Sequence, residues 1–201
     1  MIAVIDYDAG NMKSVEKALD FLNAEYVVTK DAEVLRSADK LILPGVGAFG
    51  DAMAALDSYK LTEEIKSLVA SGKPILGICL GMQLFFDESE ESPGVKGLSL
   101  LPGKILKFSS EYGLKIPQIG WNSLDFPKES RLFKNIPEGS YVYFVHSYYL
   151  KAENPEIVAA TCEYGNHVHA AVEWNNIYAC QFHPEKSSDI GLSILRNYVE
   201  L

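Results

Sequence analysis

Cys79 is the residue in this sequence best suited to nucleophilic chemistry, because it lies between glycines in Gly77-Ile78-Cys79-Leu80-Gly81. Residues 74–78 form an apolar run that predicts a short buried strand, and the apolar spacing after Gly81 predicts a helix. Cys79 is therefore expected on a sharp strand-to-helix turn, like a nucleophile elbow with sulfur in place of oxygen. The dipole of such a helix favours the thiolate, and the Leu80 amide could stabilise an oxyanion.

A candidate base for this thiol lies far downstream, in His183-Pro184-Glu185. Pro184 biases His183 towards extended backbone, and residues two apart in an extended segment face the same side. Glu185 could then fix the tautomer of His183 and stabilise the imidazolium formed when Cys79 loses its proton. The alternative for Cys79 is a small buried hydrophobe. The flanking glycines and the acid–base pair favour a nucleophile.

The other histidines, His146, His167 and His169, are interpreted as structural. His167 and His169 share a strand face and could bind a metal weakly, but no third ligand is evident. The sequence therefore predicts neither a metal nor a cofactor.

The segment Gly45-Val46-Gly47-Ala48-Phe49-Gly50 matches the G-x-G-x-x-G pattern of dinucleotide sites and follows a predicted strand. That strand is the third rather than the first, and no acidic residue ends the next strand, so a nucleotide cofactor is disfavoured. A glycine turn also points amides at anions. Val46 and Gly47 could thus supply a second oxyanion donor beside the elbow, and a plain strand-to-helix loop is the remaining interpretation.

Composition limits the class of protein. The 201 residues suit one domain, residues 1–201, and 48% hydrophobic residues can bury an ordinary core. A net charge of −9 argues against a nucleic-acid surface. Three cysteines without metal spacing favour a reducing compartment. No signal peptide or membrane-length apolar run is evident, so a cytoplasmic protein that binds no membrane is expected.

Strands alternate with helices in the first half of the chain, and strands dominate the second. This order predicts an α/β fold with an open, mainly parallel central sheet, helices on both faces, and antiparallel strands in the C-terminal half. Any site is expected along the edge where the parallel strands end. Strands are predicted at 2–5, 26–28, 40–43, 74–78, 105–108, 141–145, 157–162, 168–174 and 177–182. Helices are predicted around 15–22, with Asn11 as cap, and at 61–69 and 190–199.

Residues 77–83 together with 181–186 resemble the class I (triad-type) glutamine amidotransferases. Segments 44–47, 89–91, 120–122 and 143–148 narrow the likeness to the family of glutaminase subunits of imidazole glycerol phosphate synthases, over essentially the whole chain. The sequence departs from that family in two places. Asp8 stands where glycine is frequent, and Gln118-Ile119 replaces a His-Met pair.

The resemblance implies that Cys79 attacks the side-chain amide of L-glutamine, while His183 transfers the proton and Glu185 orients His183. Ammonia leaves, and water hydrolyses the glutamyl thioester to glutamate. Leu80 and Val46, with Gly47, would hold the oxyanion. Positions that hold the substrate in this family are matched by Gly47, Gln83, Glu91, Ser147 and Tyr148.

The chain has no phosphate loop or basic cluster for an ammonia acceptor. By the same resemblance, the acceptor belongs to a separate (β/α)8-barrel cyclase subunit in a heterodimer, reached by a sequestered channel. That synthase makes imidazole glycerol phosphate and AICAR in L-histidine biosynthesis. Positions at the subunit interface of the family are matched by Asn11, Trp121, Tyr143 and Lys186, although these are also ordinary surface residues.

Three alternatives stay open at this point. The chain could be the glutaminase of another amidotransferase, which a different synthase would activate. It could be a stand-alone cysteine hydrolase of similar fold, with steady turnover and no preference for glutamine. It could also be a nucleotide-binding module, whose binding would survive Cys79→Ala.

Overall fold

The computed structural model describes residues 1–8, 10, 12–109 and 113–201. The strands, in chain order, are β1 (Ile2–Ile5), β2 (Tyr26–Thr29), β3 (Lys40–Gly45), β4 (Ile75–Cys79), β5 (Glu88–Ser89), β6 (Gly103–Lys107), β7 (Gln118–Ser123), β8 (Tyr141–His146), β9 (Tyr148–Ala152), β10 (Val158–Glu163), β11 (His167–Trp174) and β12 (Ile177–Cys180). The helices are α1 (Met12–Phe21), α2 (Ala32–Ser37), α3 (Phe49–Ser58), α4 (Leu61–Ala70), α5 (Leu80–Gln83) and α6 (Ser188–Val199).

A seven-stranded sheet in the order β10-β11-β12-β4-β3-β1-β2 forms the centre of the fold. Strands β2, β1, β3, β4 and β12 are parallel, whereas β11 and β10 extend the sheet by antiparallel pairing. Two small sheets, β5-β6-β9 and β7-β8, complete the described strands. The predicted mainly parallel sheet with antiparallel strands in the C-terminal half is confirmed.

The core lies on both faces of the central sheet, since successive side chains of a strand point to opposite faces. In β1, Ala3 and Ile5 pack in one core with side chains of α2, α3 and α4. Ile2 and Val4 pack in the other core with α1 and α6. This arrangement explains why the inner parallel strands β1 and β4 are apolar and buried along their whole length.

Parallel register brings three separate segments to one edge of the sheet. Gly45, the last residue of β3, pairs with Cys79, the last residue of β4. Cys180, which ends β12, pairs with Ile78. The residues after Gly45, after Cys79 and after Cys180 therefore meet beyond the carboxyl ends of neighbouring strands, where sites of open α/β sheets form.

Several predicted boundaries were wrong, and two of them have an evident cause in the tertiary structure. β3 does not end at Pro44, because Pro44 pairs with Ile78 in the ladder and its carbonyl accepts the Tyr7 hydroxyl at 2.8 Å. The helix after Cys79 ends at Gln83. The chain leaves the helix because the carbonyl of Leu84 accepts from the amide of Leu98.

Several elements escaped prediction, namely α2, α3, β5, β7 and β9. Asn11, the predicted cap of α1, lies outside the described residues. No helix in the described part of the chain is long and apolar enough to cross a membrane.

Candidate active site

The nucleophile elbow is present at the end of β4. Cys79 has φ 55° and ψ −109°, a backbone conformation that L-residues rarely adopt. A Cβ at Gly81 would overlap the carbonyl oxygen of Leu43, and a Cβ at Gly77 would lie 2.8 Å from the amide nitrogen of Met82. Gly81 therefore lets the turn pack against β3, and Gly77 lets the start of α5 pack against β4. Because α5 has only four residues, its dipole contributes little, and side chains must stabilise a thiolate here.

His183 and Glu185 form the predicted pair, with Nδ1 2.7 Å from Oε1 and both side chains fully buried. The residues meet because Pro184–Lys186 is a 3-10 turn, not because an extended segment alternates its side chains. His183 itself is extended, as Pro184 dictates. Its Nε2 makes no hydrogen bond of standard geometry with a described residue, which leaves this nitrogen for proton transfer at Cys79.

The charge of the imidazolium is stabilised by its neighbours. Burial alone lowers the pKa of His183, but the adjacent Cys79 sulfur and the Glu185 carboxylate outweigh burial and raise the pKa from 6.5 to about 10. His183 is therefore suited to take up and hold a proton beside the Cys79 sulfur.

The other two thiols lie in a different environment. Cys162 in β10 and Cys180 in β12 are fully buried. Burial raises the pKa of Cys162 to about 12 and that of Cys180 well above its ordinary value. Cys79, by contrast, lines a cavity. Since the thiolate is the reactive form, Cys79 is the cysteine placed for nucleophilic chemistry.

A cavity of about 290 Å³ brings the predicted substrate and oxyanion residues together. Its size lies at the small end of ligand sites, which suits a single amino acid. A larger open depression of about 770 Å³ is lined by no cysteine or histidine. The small cavity is lined by Val46, Gly47, Cys79, Leu80, Gln83, Glu91, Pro117, Val145, His146, Ser147, Tyr148 and His183.

Glu91 has a structural role as well as a place in the cavity. Its Oε2 accepts the Phe49 amide at 2.8 Å, at the start of α3. This carboxylate occupies the helix N-terminus where the pyrophosphate of a dinucleotide would bind, so the G-x-G-x-x-G segment is no nucleotide site. Gly47, with φ 104°, instead turns the chain after β3 into the cavity wall.

His146 supports the cavity from β8. The carbonyl oxygen of Tyr148 lies 2.7 Å from its Nδ1, and a carbonyl only accepts, so Nδ1 carries a proton. Burial lowers the pKa of His146 to about 4, so the ring is neutral near pH 7. Its Nε2 then accepts, yet the atom 2.9 Å away is Gln118 Oε1, which also only accepts. The two groups bond when the Gln118 amide is assigned the flipped orientation, with its nitrogen donating to the ring. These contacts are consistent with the interpretation of His146 as a structural residue.

Sequence reasoning missed Gln181 as a site residue. Its side chain is fully buried, and its Nε2 donates to Cys79 Sγ at 3.6 Å. A polar residue directly after the apolar strand β12 was the available signal. Gln83, assigned to substrate from the resemblance, donates to Gln181 Oε1 at 2.9 Å.

The interface candidates lie next to the triad segment. Trp121 is 51% exposed and packs edge-on against Tyr143 across β7 and β8, with ring centroids 6.1 Å apart. The Tyr143 carbonyl accepts the His183 amide at 2.9 Å. Lys186 is exposed on the same segment as His183. Asn11 lies outside the described residues.

Cys79, His183 and Glu185 lie together beside a small cavity at the end of an open α/β sheet, which is the arrangement expected of a cysteine-dependent hydrolase. The sequence model of the family "Glutamine amidotransferase class-I" matches residues 3–200, and the chain belongs to this family.

Similar proteins narrow this assignment. The "Imidazole glycerol phosphate synthase subunit HisH" of Chlorobaculum tepidum is 52% identical over 201 residues, with 100% of both chains covered. The protein of the same name from Methanothermobacter thermautotrophicus is 49% identical, covering 100% of this chain and 98% of the relative.

Solved structures support the fold. A "glutamine amidotransferase" crystal structure matches with a TM-score of 0.77 at 18% identity, covering 99% of this chain and 98% of the other. PurLQS from Thermotoga maritima matches with a TM-score of 0.74 at 23% identity, covering 99% and 97%.

Proposed function

We propose that this chain is the glutaminase subunit of an imidazole glycerol phosphate synthase, and that residues 1–201 act as one glutamine amidotransferase domain in the cytoplasm. The observation that carries the proposal is the cavity in which Cys79 and His183 meet the predicted substrate residues. The name shared by relatives of about half-identical sequence supports the choice of synthase.

The chemistry follows from the triad. Cys79 Sγ attacks the carboxamide carbon of L-glutamine while its proton passes to Nε2 of His183. Glu185 holds the proton on Nδ1 and stabilises the imidazolium. Backbone amides of Leu80 and of the Val46–Gly47 segment would stabilise the oxyanion.

Collapse of the first tetrahedral intermediate breaks the carbon–nitrogen bond, and ammonia leaves with the proton from His183. Water then gives a proton to the neutral imidazole and attacks the thioester. Glutamate is released, and the thiol recovers its proton from His183. No metal or cofactor enters these steps.

Glu91, Ser147 and Tyr148 are proposed to hold the amino-acid end of glutamine, together with Gly47 and Gln83. The Glu91 carboxylate is suited to the α-ammonium group because opposite charges attract strongly in a partly dehydrated cavity. Its hydrogen bond to the α3 amide fixes the carboxylate on the cavity wall.

The acceptor of ammonia is proposed to be a separate (β/α)8-barrel cyclase subunit that binds over β7, β8 and the exposed Lys186. Trp121, which is half exposed beside Tyr143, suits the centre of such an interface. A partner there would contact the segment that carries His183.

The test measures glutamate production by the full chain alone, and with the cyclase subunit and its ligand. We expect slow hydrolysis alone and a clear increase in the complex. Cys79→Ala should abolish hydrolysis while the complex still uses added ammonium salts. Equal rates with and without the cyclase would contradict the activation of glutamine hydrolysis by the partner. Glutamate formation by Cys79→Ala would contradict the assignment of Cys79 as the nucleophile.

A further inference from the structure

The triad leaves one contact to the reactive sulfur unexplained. Gln181 is fully buried, and its amide nitrogen lies 3.6 Å from Cys79 Sγ. Burying an amide is costly unless it is hydrogen-bonded. An apolar side chain would fill the same space at lower cost, so the amide has a role beyond packing.

The orientation of this amide is fixed by a main-chain atom. The carbonyl of Tyr148 can only accept, and Gln83 Nε2 lies 3.3 Å from it, so the nitrogen of the Gln83 amide faces that carbonyl. The same nitrogen donates to Gln181 Oε1 at 2.9 Å. The nitrogen of Gln181 is then the atom that remains to face the sulfur.

We propose that Gln181 is a second hydrogen-bond donor to the Cys79 thiolate, and that Gln83 is the positioning residue that orients it. The inference rests on the proposed function and deepens it at the same site. A carboxamide does not titrate, so Gln181 stabilises the sulfur both when thiolate attacks glutamine and when it leaves the thioester.

The test follows alkylation of Cys79 by iodoacetamide in the full chain as a function of pH, with the adduct located by peptide mass spectrometry. Gln181→Met keeps the length of the side chain but removes the donor. We expect the midpoint of the pH–rate curve to move up by about one pH unit, which makes alkylation below the midpoint about tenfold slower. The matched control Cys180→Ala, at the adjacent buried position, should leave the midpoint unchanged.

A residue that only fills the core would change the melting temperature without moving this midpoint. An unmoved midpoint in folded Gln181→Met, checked by circular dichroism, would overturn the proposal. If Gln181→Met does not fold, the same alkylation assay is carried out on Gln83→Met, in which Gln181 loses its positioning residue. A smaller upward shift supports the proposal, and no shift overturns it.

The assay uses no glutamine, so it separates the two proposals. A chain that is alkylated at Cys79 with the expected shift, but that never hydrolyses glutamine with its partner, would contradict the proposed function and leave the role of Gln181 standing.

Discussion

The strained backbone conformation of Cys79 should determine the relative stability of two variants, Cys79→Ala and Cys79→Gly. At φ 55° and ψ −109° a Cβ is strained, at a cost of about 1–3 kcal/mol. Cys79→Ala keeps that strain, whereas Cys79→Gly removes it. Glycine loses more backbone entropy on folding, which costs about 0.5–1 kcal/mol relative to alanine. The net expectation is that Cys79→Gly is the more stable variant by about 1 kcal/mol.

Cys180 supplies the matched control, because it is also buried but lies in the regular strand β12. There the order should reverse, with Cys180→Gly less stable than Cys180→Ala by about 0.5–1 kcal/mol. Urea unfolding followed by circular dichroism gives the free energy of unfolding of all four variants. The comparison requires that the slope of this free energy against urea concentration is the same for the two variants of a pair. If Cys79→Ala equals or exceeds Cys79→Gly in stability, the elbow is not strained and the reasoning fails.

Three further substitutions test the site. In Gly81→Ala the added Cβ would overlap the carbonyl oxygen of Leu43. We therefore expect the fold to be destabilised by about 1–3 kcal/mol and glutaminase activity to fall about 100-fold. Unchanged glutaminase kinetics would contradict this expectation. Glu185→Gln should lower activity by about 100- to 10,000-fold. Because the pKa of His183 is raised in the folded state, its charge contributes to the free energy of unfolding fully below pH 6.5, and this contribution is lost as the pH rises to about 10. In Glu185→Gln the free energy of unfolding should fall less over this pH range, which denaturation at several pH values measures. Glu91→Gln keeps an acceptor for the α3 amide, so the free energy of unfolding should change by no more than about 0.5 kcal/mol. The KM for glutamine should rise, because the charge that faces the ammonium group is lost. An unchanged KM would refute contact between Glu91 and that group.

The sequence was most informative where chemistry and local structure coincide. Glycines on both sides of Cys79 predicted the turn without knowledge of any partner strand, and the structure has that turn. His183-Pro184-Glu185 is a local motif whose residues must lie near one another whatever the fold, so their contact was predictable even though the 3-10 turn was not.

Features that depend on tertiary contacts could not be predicted. The helix after Cys79 stops at Gln83 because residues distant in sequence take up the carbonyls that a longer helix would need. The start of α3 is capped by Glu91 from another loop, so no capping residue in its own segment marked it. The orientation of Gln181 depends on the carbonyl of Tyr148, which no periodicity in the sequence reveals.

The most direct test of the account asks which cysteine an imidazole activates. The parent chain and His183→Ala are treated with a chloroketone analogue of glutamine at neutral pH, and the adduct is located by mass spectrometry. The account predicts one adduct, on Cys79, in the parent chain and little or none in His183→Ala. An adduct on Cys162 or Cys180 instead, or equal labelling of Cys79 without His183, would contradict the triad.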